Sequence, residues 1–238
     1  MLNEDRRRQL LVSIVPADGR TAGLLELCTA GVELIEVSGA GIMLMTGNES
    51  QAALCATNSV SELIEELQFT YGEGPCIDAH HHCAPVAEPD LAAPVVPRWA
   101  AFSRGAVAGG VRAVFGFPIQ VGSVRLGALN LYRNVAGPLT AAQHADALVV
   151  ADSTARTIIA TQTDAAPGAL GAELEAGTAL RFVVHQATGM IAVQLGIGVT
   201  EALVRLRGFA FAQNRLVADV AADVVARRVR LTDDDMPH

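Results

Sequence analysis

Apolar positions in the first 160 residues switch repeatedly between a helical and an extended rhythm. Over Thr21–Leu34, Leu24, Leu25, Cys28 and Val32 recur at helix spacing. Gly41–Met45 and Gln51–Ala56 are short apolar runs separated by Thr46, Gly47, Asn48 and Glu49, which predicts a hairpin. Ser61–Phe69 returns to helix rhythm, with Leu63, Ile64 and Leu67 on one side. Val111–Val121 and Val124–Tyr132 flank Gly122-Ser123, a two-residue turn that starts with Gly, and form a second predicted hairpin. A long helix over Pro138–Thr161 closes this part, with Pro138 near its start, where a missing N–H does no harm. The order helix, hairpin, helix, loop, hairpin, helix predicts an α+β domain, an antiparallel sheet with flanking helices.

Beyond it the rhythm is helical throughout. Thr161–Ala172 is small, polar and contains Pro167-Gly168, the signature of a linker. We set the boundaries at 1–163 for the first domain, 164–172 for the linker, 173–231 for a three-helix domain and 232–238 for an acidic tail. Leu180, Val183, Val184, Ala187, Met190 and Ile191 make one apolar stripe, which Gly196 and Gly198 stop. Val199, Ala202, Leu203, Leu206 and Phe209 make a second. A third helix carries Val217, Val220, Ala221 and Val224, with Asn214 as its expected N-cap and Arg215/Asp219 and Asp223/Arg227 as i,i+4 pairs. About sixty residues bury little by themselves. Val183, Ala187 and Met190, with Leu148, Val149 and Ile159 on the preceding helix, therefore predict a homodimer through the helical segments.

Composition narrows the class. Hydrophobic residues reach 51%, yet no run of roughly eighteen apolar residues occurs. The three arginines of Met1–Leu10 are followed by an apolar stretch too short for a secretory signal, so a cytoplasmic protein without a membrane span is expected. Cys28, Cys55, Cys76 and Cys83 are then expected as reduced thiols. The net charge of −8 opposes generic nucleic-acid binding, but the distribution is uneven. Residues 1–171 hold ten Arg against seventeen acids, whereas residues 172–231 hold seven Arg against five. The helical part can present a basic face.

Chemistry-bearing residues are few. Cys76, His80, His81, His82 and Cys83 are metal-ligand types, but side chains in an extended segment alternate in direction and no second group stands at ligand spacing, so no metal is expected. Arg98, Trp99 and Arg112 can stack on and pair with an anionic ligand. No nucleophile elbow, zinc-protease motif or phosphate-cradling glycine loop occurs, and Asp78 near His80 lacks a third group, so no catalytic residue is assigned and the chain is not expected to be an enzyme.

Gly72-Glu73-Gly74-Pro75-Cys76, Asp78-Ala79, Asp90-Leu91, Arg98-Trp99, Gly110-Val111-Arg112, Phe117-Pro118 and Gly127-Ala128-Leu129-Asn130 together resemble GAF sensor domains of actinobacterial type. The resemblance spans roughly residues 20–160. Gln186-Ala187, Gly189-Met190, Glu201-Ala202, Leu206-Arg207, Asn214-Arg215-Leu216 and Val220-Ala221 are similar to the ANTAR family of RNA-binding antitermination regulators, over about 173–230. The resemblance implies a GAF-type sheet followed by a small, usually dimeric three-helix module that grips hairpin loops of nascent RNA. After Gln-Ala the family usually carries lysine; here Thr188 offers a hydroxyl.

The expected function is a transcription antitermination regulator. Arg181, Thr188, Arg205, Arg207, Asn214 and Arg215 are the candidates for RNA hairpins, and Cys76, Asp78, Arg98, Trp99 and Arg112 for a small-molecule ligand of unknown identity. No cofactor is specified. Two alternatives stay open: a small-molecule or redox sensor whose helices serve only protein association, and a reductase dependent on Cys76 or Cys83.

Overall fold

A computed structural model describes residues 23–46, 49–164, 172–213 and 215–232. In chain order the N-terminal domain runs α1 (Leu24–Ile35), β1 (Gly39–Thr46), β2 (Glu49–Ala56), α2 (Ser59–Tyr71), α3 (Pro75–His82), β3 (Val86–Glu88), α4 (Ala100–Ala108), β4 (Ala113–Val121), β5 (Val124–Arg133) and α5 (Ala141–Asp164). The helical part follows as α6 (Ala172–Leu195), α7 (Val199–Ala212) and α8 (Val217–Val225). The linker expected at 164–172 lies almost wholly outside the described residues, as does the acidic tail.

Five antiparallel strands form one sheet in the order β2-β1-β5-β4-β3. Alternation puts Ile42, Phe115, Phe117, Leu129 and Leu131 on one face, under α1 and α5. Met43, Met45, Val114, Ala128 and Tyr132 face the other way, toward α2, α3 and α4. Both predicted hairpins form. Gly122 takes φ +58°, the left-handed conformation that a two-residue turn requires and a Cβ resists. The closing helix starts later than expected: Thr140 and Gln143 cap each other, Gln143 N–H donating to Thr140 Oγ1 and Thr140 N–H to Gln143 Oε1.

Three elements differ from the sequence expectation. The segment read as an extended loop around the histidines is the helix α3, with Pro75 in its first turn. A Cβ on Gly116 would stand 2.3 Å from the Pro75 carbonyl oxygen, so the glycine lets the start of α3 sit on the sheet. His80 is consequently buried, while His81 and His82 are exposed. The short helix α4 and the edge strand β3 also lie where a loop was expected. Finally, the fold sets the Cys28 side chain of α1 beside the Cys55 side chain of β2. Both lie in the apolar cluster under α1, which brings together residues 27 apart in sequence.

The helical module buries Val184, Ala187, Ile191, Leu206, Val220 and Val224 among its three helices. Gly196 at φ +66° ends α6 as expected. Asn214 lies outside the described residues, and the N-cap position of α8 is Leu216. The module is not detached from the sheet domain. Helix α6 packs along β2, and Phe69 of α2 belongs to the module's own apolar cluster.

Candidate nucleic-acid interface and interior polar site

The helices divide the arginines into engaged and outward-facing groups. Arg205 donates to Glu201 Oε1 at 3.0 Å, one helical turn away. Arg215 donates to Asp223 Oδ2 at 2.7 Å, and Arg228 reaches the other oxygen of the same carboxylate at 2.7 Å. These hydrogen bonds, Arg215 first, hold the Asp223 carboxyl below its ordinary range. The pairs expected from spacing, Arg215/Asp219 and Asp223/Arg227, are replaced by this shared arrangement. Arg207 turns toward the N-terminal domain, its guanidinium carbon 5.4 Å from the Phe69 ring centroid. Arg181 falls on α6 in a stretch whose side chains are not described.

Thr188 requires a correction. It is 1% exposed, and its hydroxyl donates to the Val184 carbonyl at 2.7 Å. Position 188 shares the buried side of α6 with Val184, Ala187 and Ile191. It therefore presents nothing to a partner at the surface. What the sequence reading passed over is the run Arg227-Arg228-Val229-Arg230 after α8: all three arginines are exposed, and Arg230 borders a shallow concavity of α6 lined by Gln186, Gly189, Met190 and Val193. Three arginines in four residues are a signal legible in the sequence itself.

In the N-terminal domain the expected ligand residues form two structural networks. Trp99 Nε1–H donates to Asp78 Oδ2 at 3.0 Å, and the Arg98 guanidinium covers the indole at 4.4 Å. Arg98 also donates to the Ala87 carbonyl and pairs with Glu88. Arg112 pairs with Asp90 at 3.4 Å, a separate contact. The Gly72–Cys76 motif is likewise architectural: Gly72 is the left-handed C-cap of α2, and Glu73 Oε1 accepts the Ala101 and Phe102 N–H groups that open α4. Cys76 is fully buried, its N–H donating to Gln68 Oε1 at 2.8 Å. Burial, reinforced by the nearby Glu65 charge, pushes its thiol well up, which disfavours the thiolate that redox or reductase chemistry needs.

Sequence reasoning also missed an interior polar site beside Cys76. Asn130 on β5 is fully buried, and neither atom of its amide has a hydrogen-bond partner among the described residues. Its lateral neighbours are Gly41 and Gly116, which lack side chains and so let α2 and α3 approach the sheet closely on either side. Over Gly41 stands the carboxylate of Glu65, also buried, 2.6 Å from where a Cβ would be. Gln68 Nε2 is a further buried donor without a partner among the described residues. A second feature is a cleft of about 550 Å³ between the domains, lined by Glu62, Glu66 and Phe69 of α2, Val184 of α6, and Leu216 and Asp219 beside and on α8. Among the described residues, no group of three or more His, Cys, Asp or Glu converges as a metal site, and no single helix is long and apolar enough to cross a membrane.

Residues 172–225 match the family described as the ANTAR domain. The three-helix module is an ANTAR domain. Its matched span begins with α6 and ends with α8. Solved structures similar to the chain include the GAF domain of a phosphoenolpyruvate-protein phosphotransferase from Acinetobacter, 11% identical, covering 69% of this chain and 97% of that one with a TM-score of 0.49. The corresponding GAF domain from Coxiella burnetii is 14% identical, covering 68% and 95%, with a TM-score of 0.49. No curated protein matches the chain.

Proposed function

We propose that the protein is a cytoplasmic transcription antitermination regulator, whose ANTAR domain binds hairpin loops of nascent RNA under control of a small molecule sensed by the N-terminal domain. The observation that carries this reading is the ANTAR match over α6–α8, within residues 172–231, where arginines outnumber acids while the rest of the chain is acidic. Arg215, Arg227, Arg228 and Arg230 offer guanidinium groups for phosphates, and Arg205 and Arg207 stand on the adjoining helix. Arg pairs with phosphate in a bidentate fork and stacks on splayed bases, the two contacts that loop recognition needs. On the sensor side, the enclosed amides of Asn130 and Gln68 support a small polar ligand seated between the sheet and α2, because a buried donor without a partner costs about 1–3 kcal/mol.

Sequencing the RNA that copurifies with the protein from its native host tests the reading. Enrichment of leader hairpins is the expected result. Filter binding of those hairpins at several salt concentrations should then show Arg230→Ala and Arg215→Ala each weakening affinity and lowering the salt slope by about one counterion. Absence of any hairpin enrichment, with dimerisation intact, would instead favour helices that serve only protein association.

A further inference from the structure

The apolar cluster under α1 holds two sulfur side chains that the sheet brings together. Cys28 of α1 is fully buried, and Cys55 of β2 stands beside it, half-buried. The Cys55 Sγ–H donates to the Leu24 carbonyl, in the first turn of α1, at 3.6 Å. The two Cα atoms are 7.3 Å apart, whereas a disulfide usually spans about 4.4–6.8 Å, so bonding needs only a small backbone shift. Strand β2 can supply that shift. Its pairing with β1 changes register between Ile42–Cys55 and Met43–Ala53, which leaves Leu54, next to Cys55, outside the regular ladder. Cys55 also lines the cleft of about 550 Å³ between the domains. That cleft gives it an approach that Cys28 and Cys76, both fully buried, lack.

We infer that Cys28 and Cys55 form a reversible dithiol–disulfide site, oxidised by small neutral or cationic disulfides that enter through this cleft. The inference does not depend on RNA binding. In the exchange, Cys55 as thiolate attacks one sulfur of the small disulfide, and the other sulfur leaves as a thiolate that takes up a proton. The Cys28 thiolate then attacks Cys55 Sγ and expels the second half of the reagent in the same way. Two protein thiols are oxidised, and one small disulfide is reduced to two thiols. Charge sets which disulfides enter. Glu62, Glu66 and Asp219 line the cleft, and no described lining residue is basic. These carboxylates repel an anionic disulfide and draw in a cationic one, most strongly where salt does not screen them. The product ties α1 to β2 across 27 residues of chain. Intracellular disulfides of this kind are mostly transient and sensing, which suits a pair with one reachable and one enclosed thiol.

The test uses the full reduced chain at low ionic strength, exposed to equal concentrations of cystamine, a dication, or oxidised glutathione, an anion. Remaining thiols are blocked with iodoacetamide in denaturant at intervals, and the peptides are mapped by mass. The expected product is a cross-linked pair carrying Cys28 and Cys55, two hydrogens lighter than the reduced pair and undone by dithiothreitol. It should form about fivefold faster or more with cystamine, and added salt should narrow the gap. Cys28→Ser should stop at the mixed disulfide, with one cysteamine held on Cys55. If Cys55 of the unmodified chain keeps its cysteamine, or links to Cys83 instead, the paired site is overturned. Equal rates for the two reagents, unmoved by salt, overturn the cleft as the route. Should Cys28→Ser not fold, the peptide map of the unmodified chain decides alone.

Discussion

Arg215 donates to Asp223 across eight residues, passing over Asp219, which stands at the ordinary helical spacing. The reason is that α8 begins only at Val217, so Arg215 precedes the helix and its side chain runs along the helix to the farther carboxylate. Arg228 folds back onto the same group from beyond the other end. One carboxylate therefore ties both approaches to α8.

That arrangement predicts a pH dependence. The Asp223 carboxyl is held below its ordinary value in the folded chain, by the Arg215 hydrogen bond first and the Arg228 bond second. A depressed carboxylate contributes stability above its unfolded value and loses it as pH falls through the folded value. Thermal midpoints of the wild type and Asp223→Asn should differ at neutral pH and converge below about pH 4. A gap that persists at acid pH would show that the charge is not the cause.

Thr188 is expected to resist the family's usual lysine. An ammonium at a position 1% exposed, beside Val184, Ala187 and Ile191, loses hydration without a partner. Thr188→Lys should lower stability by about 3 kcal/mol by denaturant unfolding, whereas Thr188→Val should cost only about 1 kcal/mol through loss of one hydrogen bond.

Trp99 is the single tryptophan and is nearly enclosed, so its emission reports one place in the fold. Asp78→Ala leaves its indole N–H without the 3.0 Å acceptor and should cost about 1–2 kcal/mol. The same variant should change Trp99 fluorescence at native conditions, and an unchanged spectrum would show that the hydrogen bond does not hold the ring.

A homodimer is the expected oligomer, with Leu148 and Ile159 kept from the residues the periodicity named and those of α6 replaced. Ala187 is buried and Val183 and Met190 pack on the module's own core, while Phe182, Val193 and Val204 are exposed on α6 and α7, and Leu148 and Ile159 on α5. Phe182→Asp combined with Val193→Asp should shift a light-scattering mass from two chains to one without unfolding the module.

Local rhythm alone determined the two hairpins, the helices that carry long apolar stripes and the division into a sheet domain and a three-helix module. Alternation of period two and recurrence at three and four residues act within a few residues of chain, so they are written in order. Helix α3 was not legible because eight residues with a weak apolar face become helical only when Gly116 admits them to the sheet. The meeting of Cys28 with Cys55, and of Glu65 with Gly41 beside Asn130, depends on which strands and helices stack. No spacing encodes that. The arginines of the ANTAR module could be read off the chain, but not their directions. Arg207 faces Phe69, and Thr188 faces inward, because packing of whole elements against one another selects the side of each helix that water reaches.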